Sequence, residues 1–267
     1  MPTDFDHFLA LFTVIYQLLA MSAALVIGTL FFFKRSGSQP ANWLYGALLI
    51  LCAGVQLHFI FAANQWPFNE PEWPYLPIYF SLSLPVLFFF HVKLTLFPDY
   101  RLKASDAKHG ILPIGQMLYV WAIFLVTAWR IPGGRYFYNP FYGGLEQALF
   151  IFLFPMYIVF GYQYYRARKR ALKPGRESRQ LWYIHKLLKG TMLFVLAYAI
   201  LGISDFIVHK FFYLDLREQR WFLALSAGSF SSLVIFFGVY GFQVLLWGRK
   251  LLKRRNPKTK ERQDALS

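Results

Sequence analysis

Charge is scarce in this chain, and cysteine is scarcer still. The one cysteine, Cys52, has no partner for an intrachain disulfide, so no covalently stapled fold is available and nothing follows about redox compartment. Charged residues make up 15% of 267, against 57% hydrophobic residues and 30 phenylalanines. A soluble globule of this composition would be left with far more apolar surface than its polar residues could cover. Long hydrophilic stretches are also missing, which leaves no room for a second folded domain. The usual catalytic signatures are absent: there is no H-E-x-x-H, no glycine-rich phosphate loop and no G-x-S-x-G. The six histidines are scattered singly. No metal site, catalytic residue or cofactor is therefore expected. Haem ligation by a histidine pair stays open, although no helix carries two histidines at a useful spacing.

What the chain does have is long apolar runs, seven of them, near Phe8 to Phe33, Trp43 to Ala63, Pro77 to Phe97, Ile111 to Trp129, Ala148 to Tyr165, Leu187 to Val208 and Trp221 to Trp247. Each is close to the roughly 20 residues a helix needs to cross a hydrocarbon core. They lack the period-two alternation of membrane barrel strands, so helix is the only spanning form that satisfies their backbone. The expected fold is all-α: a polytopic membrane protein with a seven-transmembrane-helix bundle over residues 1-248 and a basic cytoplasmic tail over 249-267. A retinal-type Schiff base is disfavoured because the seventh run contains no lysine. Small residues spaced by four, Ala20, Ala24 and Gly28 in the first run and Ala224, Gly228 and Ser232 in the last, mark stripes where backbones could approach closely.

Lysine and arginine set the expected orientation. The connections "KRSGSQPAN", "PDYRLKASDAKHG" and "RARKRALKPGRESRQLWYIHK", with the tail "GRKLLKRRNPKTKERQ", hold nearly all the positive charge, whereas "NQWPFNEPEWPYL" holds none. The positive-inside rule places the N-terminus outside and the C-terminus in the cytoplasm. The opening "MPTDFDH" is acidic and lacks a cationic n-region, which favours an uncleaved first helix over a signal peptide. Topology then accounts for the net charge of +15, and the cationic clusters are expected to meet anionic lipid headgroups and no direct nucleic acid.

Polar residues inside the runs are the candidate functional residues. His91 and Lys93 fall in the inner third of the third helix. Lys93 can snorkel to the cytoplasmic headgroups as an anchor, and His91 needs a hydrogen-bond partner, most simply on a neighbouring helix. His58 and Asp205 fall in the outer thirds of the second and sixth helices. A carboxylate at that depth faces the bundle interior, a water-filled cavity or a basic partner unless it reaches the interface. Glu146 joins these two as a candidate around an outward-facing pocket. The outer connections "NQWPFNEPEWPYLP" and "RIPGGRYFYNPFYGG" bring Trp66, Trp73, Tyr136 and Tyr138 to headgroup level, as an aromatic belt or as a mouth over a cavity.

The third run leading through "LFPDYRLKASDAKHGILPI", together with "VIFFGVYGFQ" in the last, resembles the membrane sensor region of bacterial AraC-type transcriptional regulators with multi-helix N-terminal domains. The matching positions are Pro98, Asp99, Tyr100, Arg101, His109 and Pro113, with one residue more between histidine and proline than in the family pattern. The resemblance implies an architectural role for these residues. It also implies a sensor region followed by a helix-turn-helix output domain, whereas this chain stops about twenty residues after its last apolar run.

These readings give the functional expectation: a multi-pass protein of the bacterial cytoplasmic (inner) membrane, acting as a sensor or receptor-like module. It would detect a lipid-phase or extracytoplasmic signal and act through a protein partner or a homo-oligomer. The different-class alternative is a membrane enzyme or carrier for an apolar or lipid substrate, with His58, Asp205 and Glu146 around an outward pocket.

Overall fold

The computed structural model describes residues 4–64, 77–128, 140–171, 179–214, 216 and 219–255. Among them every regular element is helical: α1 (Asp4–Phe32), α2 (Gln39–Asn64), α3 (Ser83–Leu96), a 3₁₀ segment (Ala104–Gly110), α4 (Ile111–Ala128), α5 (Pro140–Arg170), α6 (Arg179–Phe212) and α7 (Arg220–Arg255). Six stretches are long and apolar enough to cross a membrane, one of them formed by the 3₁₀ segment running into α4.

The third of the seven expected runs, Pro77 to Phe97, is helical over a shorter stretch, α3. This helix has 14 residues, a length of roughly 21 Å at the α-helical rise, which is short of a bilayer core. The apolar residues before it, Pro77 to Leu82, form turns and not another helical turn. The basic stretches differ too. The charge between Arg166 and Lys189 lies partly on helix ends, since α5 runs to Arg170 and α6 begins at Arg179. Likewise α7 continues to Arg255, so position 248 is not an element boundary.

Helices α1, α2, α3, α5, α6 and α7 pack in that order into a closed ring, with α1 against α7. Cross-contacts of α2 with α7 and α3 with α6 fill its centre. Phe88 of α3 lies there, 5.7 Å from the Phe154 ring of α5 and 5.9 Å from that of Phe237 of α7. Helix α4 stands outside the ring: it packs mainly on the 3₁₀ segment that precedes it and reaches the ring through the Gln116 side chain. Its apolar residues Ile111, Ile114, Leu118 and Trp121 are exposed, as they are on the outer faces of α1 and α6, which suits a lipid surround.

The α1 stripe is a packing stripe. Ala20 and Ala24 are fully buried, and Gly28 meets Gly46 so closely that a Cβ on Gly46 would lie 2.8 Å from the Gly28 carbonyl oxygen. The α7 stripe behaves differently. Ser232 bonds to the Tyr16 hydroxyl at 2.9 Å, but a Cβ on Gly228 would meet nothing within 4 Å. Buried side-chain bonds pin α2 to α7: Tyr45 donates to the Phe237 carbonyl at 2.6 Å, and Gln56 donates to Ser231 at 3.0 Å.

Candidate functional site

A short helix that begins inside a bundle leaves backbone groups to be satisfied by something other than water. At the start of α3 the Ser83 and Leu84 N–H groups bond to the Phe80 and Ser81 carbonyls, and the N–H before them is taken by a side chain from α4. The Leu82 N–H donates to Gln116 Oε1 at 2.9 Å, and the Gln116 amide donates to Glu146 Oε1 at 2.7 Å and to Ser81 Oγ at 3.1 Å. Ser81 donates in turn to Glu146 Oε1 at 2.5 Å, and Tyr79 lies alongside both. The half-buried Glu146 carboxylate therefore accepts from two side chains beside the N-terminus of α3, where negative charge is favoured by the helix dipole. Close approach makes the junction possible. A Cβ on Gly54 of α2 would sit 2.7 Å from the Ile78 carbonyl oxygen, so only glycine lets the turn before α3 lie against α2.

Two of the candidates from the sequence meet here. The His58 ring lies 4.6 Å from the Tyr79 ring, which joins it through Tyr79 to Glu146. Asp205 is buried, at 6% exposure, on the inward face of α6 and one turn beyond Gly202, which packs against Gln147 and Ile151 of α5. A carboxylate buried this far faces protein or a cavity inside it, and not the outer surface. Trp66, Trp73, Tyr136 and Tyr138 lie outside the described residues. Among the described residues no group of three or more His, Cys, Asp or Glu side chains could hold a metal.

The basic end of α3 carries the other two candidates. His91 makes the interhelical bond the sequence suggests: its Nδ1 lies 2.8 Å from the Ala41 carbonyl oxygen of α2, and its ring lies 4.5 Å from that of Tyr45. Lys93 does not snorkel. It is 5% exposed, and its ammonium is 3.3 Å from Asp106 Oδ1 and 3.8 Å from the centre of the Tyr100 ring, with Phe89, Phe90 and Tyr164 around it. Asp106, thirteen residues further along, reaches this ammonium because the chain turns back at Pro98. Asp106 also accepts from the Tyr100 hydroxyl at 2.7 Å and from the Lys103 N–H at 2.9 Å, which caps the 3₁₀ segment. His109 reaches Tyr157 of α5 at 2.8 Å and packs on Phe89 and Phe90. The last turn of α3 is closed by Gln180 of α6, which donates to the Thr95 carbonyl at 2.5 Å.

Sequence reasoning missed Gln116, Tyr79, Ser81, Asp106 and Gln180. For Gln116 a signal existed, since it is the lone amide in an 18-residue helix that holds no charged residue. The others needed the fold. Tyr100 and His109, singled out by the family resemblance, hold structural positions next to Lys93 and Tyr157. No protein family, curated protein or solved structure matches the chain.

Proposed function

We propose that the chain is a membrane sensor or receptor-like module of a bacterial inner membrane, with its N-terminus outside and its C-terminus in the cytoplasm. It registers a lipid-phase or extracytoplasmic signal and acts through a partner protein. One observation carries this reading: α3 and the segment from Ala104 through α4 are joined by polar side chains at both ends. At one end Gln116 and Glu146 hold Ser81 and Leu82, and at the other Asp106 holds Lys93. Elsewhere α4 touches the ring little: 11% of its span is buried, against 44% for that of α2. A helix held by a few directional bonds and little interdigitated packing has a small energy gap between alternative positions. A signal that alters the Glu146 junction then biases the Lys93 end, which gives the two sites and the shared movable element that coupling requires.

The alternative, an enzyme or carrier for an apolar substrate, draws on the same residues, since Tyr79 lines up His58 with Glu146. Coupling between the ends separates the two readings, because a local active site has no need of it. The test uses Asp99→Cys as a reporter in a Cys52→Ser background, in the full chain in nanodiscs. Glu146→Gln should change the rate of maleimide modification at position 99 by about threefold or more, a modest coupling energy. An unchanged rate, with the variant folded and inserted, would overturn the sensor reading.

A further inference from the structure

At the basic end, α3 and α5 flank two adjoining depressions that share Tyr164. One, of about 290 Å³, is bordered by Asp99, Tyr100 and Arg168; the other, of about 430 Å³, runs along Phe89, Phe160 and Ala167, with His109 and Gln163 on its border. The first holds two opposite charges that do not pair. Among the described residues Arg168 has no carboxylate within ion-pair distance, and it lies 5.7 Å from the Phe97 ring centre. Asp99 on the exposed turn has no cationic partner either, and the Lys93 charge nearby is already taken by Asp106.

A ligand complementary to this arrangement carries an anion and a cation a few bonds apart, attached to an apolar chain that can continue into the second depression. We propose that the paired depressions hold one zwitterionic aminophospholipid, with its phosphate on Arg168, its ammonium at Asp99 and an acyl chain passing Tyr164 into the groove. A guanidinium presents a planar fork of donors that suits phosphate oxygens, and that of Arg168 lies near the Phe97 ring. The Asp99 carboxylate repels a headgroup whose only charge is negative. It also prefers a primary ammonium, which donates hydrogen bonds, to a quaternary one, which has none to give. The net positive charge of the surrounding connections cannot make this choice, since it attracts every anionic headgroup alike. The inference does not depend on the sensing function.

Nanodiscs containing equal parts of phosphatidylethanolamine, phosphatidylcholine and phosphatidylglycerol test it, with native mass spectrometry counting the lipid retained by the full chain. The wild type should retain phosphatidylethanolamine about threefold above its share, the size expected of one solvent-facing ion pair. Asp99→Asn should still retain lipid but lose the preference over phosphatidylglycerol. Arg168→Gln should lose about tenfold of the retained phospholipid, whatever its headgroup, whereas Arg170→Gln on the same helix should lose none. Retention by the wild type in the proportions supplied would overturn the assignment. So would an unchanged preference in Asp99→Asn, or equal losses in Arg168→Gln and Arg170→Gln.

Discussion

Gln116 uses its carbonyl on the Leu82 N–H and its amide on Glu146 and Ser81, so replacing it by an apolar residue of similar size strips three partners at once. Gln116→Leu should destabilise the chain by about 2–3 kcal/mol in an SDS-titration unfolding experiment, the cost of leaving buried polar groups unmade. A loss no larger than that of Met117→Leu on the exposed side of the same helix would contradict this role. At the other end, Lys93 is closed in by Tyr100, Tyr164 and Asp106, and this reverses what the sequence suggests about it. As an interfacial anchor it would tolerate arginine. In the cage a planar guanidinium does not replace a compact ammonium, so Lys93→Arg should lose about as much stability as Lys93→Met, on the order of 1–2 kcal/mol. Wild-type stability of Lys93→Arg would return Lys93 to the anchoring role. Residue-level roles were legible where one rule sufficed: His91 needed a neighbouring helix, and Asp205 needed to face protein. The Lys93 partner was not legible, because it depends on a turn and a 3₁₀ segment that no periodicity announces.

Among the elements, α3 departs furthest from its sequence. "PIYFSL" is apolar like the helix that follows it, but Pro85 has no N–H to give the Ser81 carbonyl, so a helix through Pro77 to Phe97 would be broken there and α3 starts with Pro85 in its first turn. Tertiary contacts complete the interruption. Gly54 admits the Ile78 carbonyl, and Gln116 takes the Leu82 N–H, so the backbone is satisfied without another helical turn. Gly54→Ala forces that turn away from α2 and should cost about 1–3 kcal/mol. Gly228→Ala meets nothing within 4 Å and should be neutral or slightly stabilising, because alanine is the better helix former. If the two substitutions have equal effects, the approach at Gly54 does not hold the short helix. The other six apolar runs were legible because hydropathy alone decides them, while their ends were extended by charged and aromatic residues that an apolar count leaves out.

For the whole molecule, the all-helical membrane character and the proposed orientation follow from composition and charge, whereas the ring order and the function do not, because they depend on contacts between distant segments. The orientation has its own test. Cysteines at Asn69 and Glu177, in connections outside the described residues, should label from opposite faces, with Asn69→Cys reacting with an impermeant reagent on intact cells. Protection of Asn69→Cys together with labelling of Glu177→Cys would invert the topology. The proposal that α3 and α4 link the two ends of the bundle is tested most directly by a double-mutant cycle between Gln116→Leu and Asp106→Asn, measured by SDS-titration unfolding of the full chain. The two residues share no hydrogen-bond partner, and independent sites add to within about 0.5 kcal/mol. Coupling through the helix pair predicts an interaction energy of about 1 kcal/mol or more. Strict additivity would show that the two ends act independently.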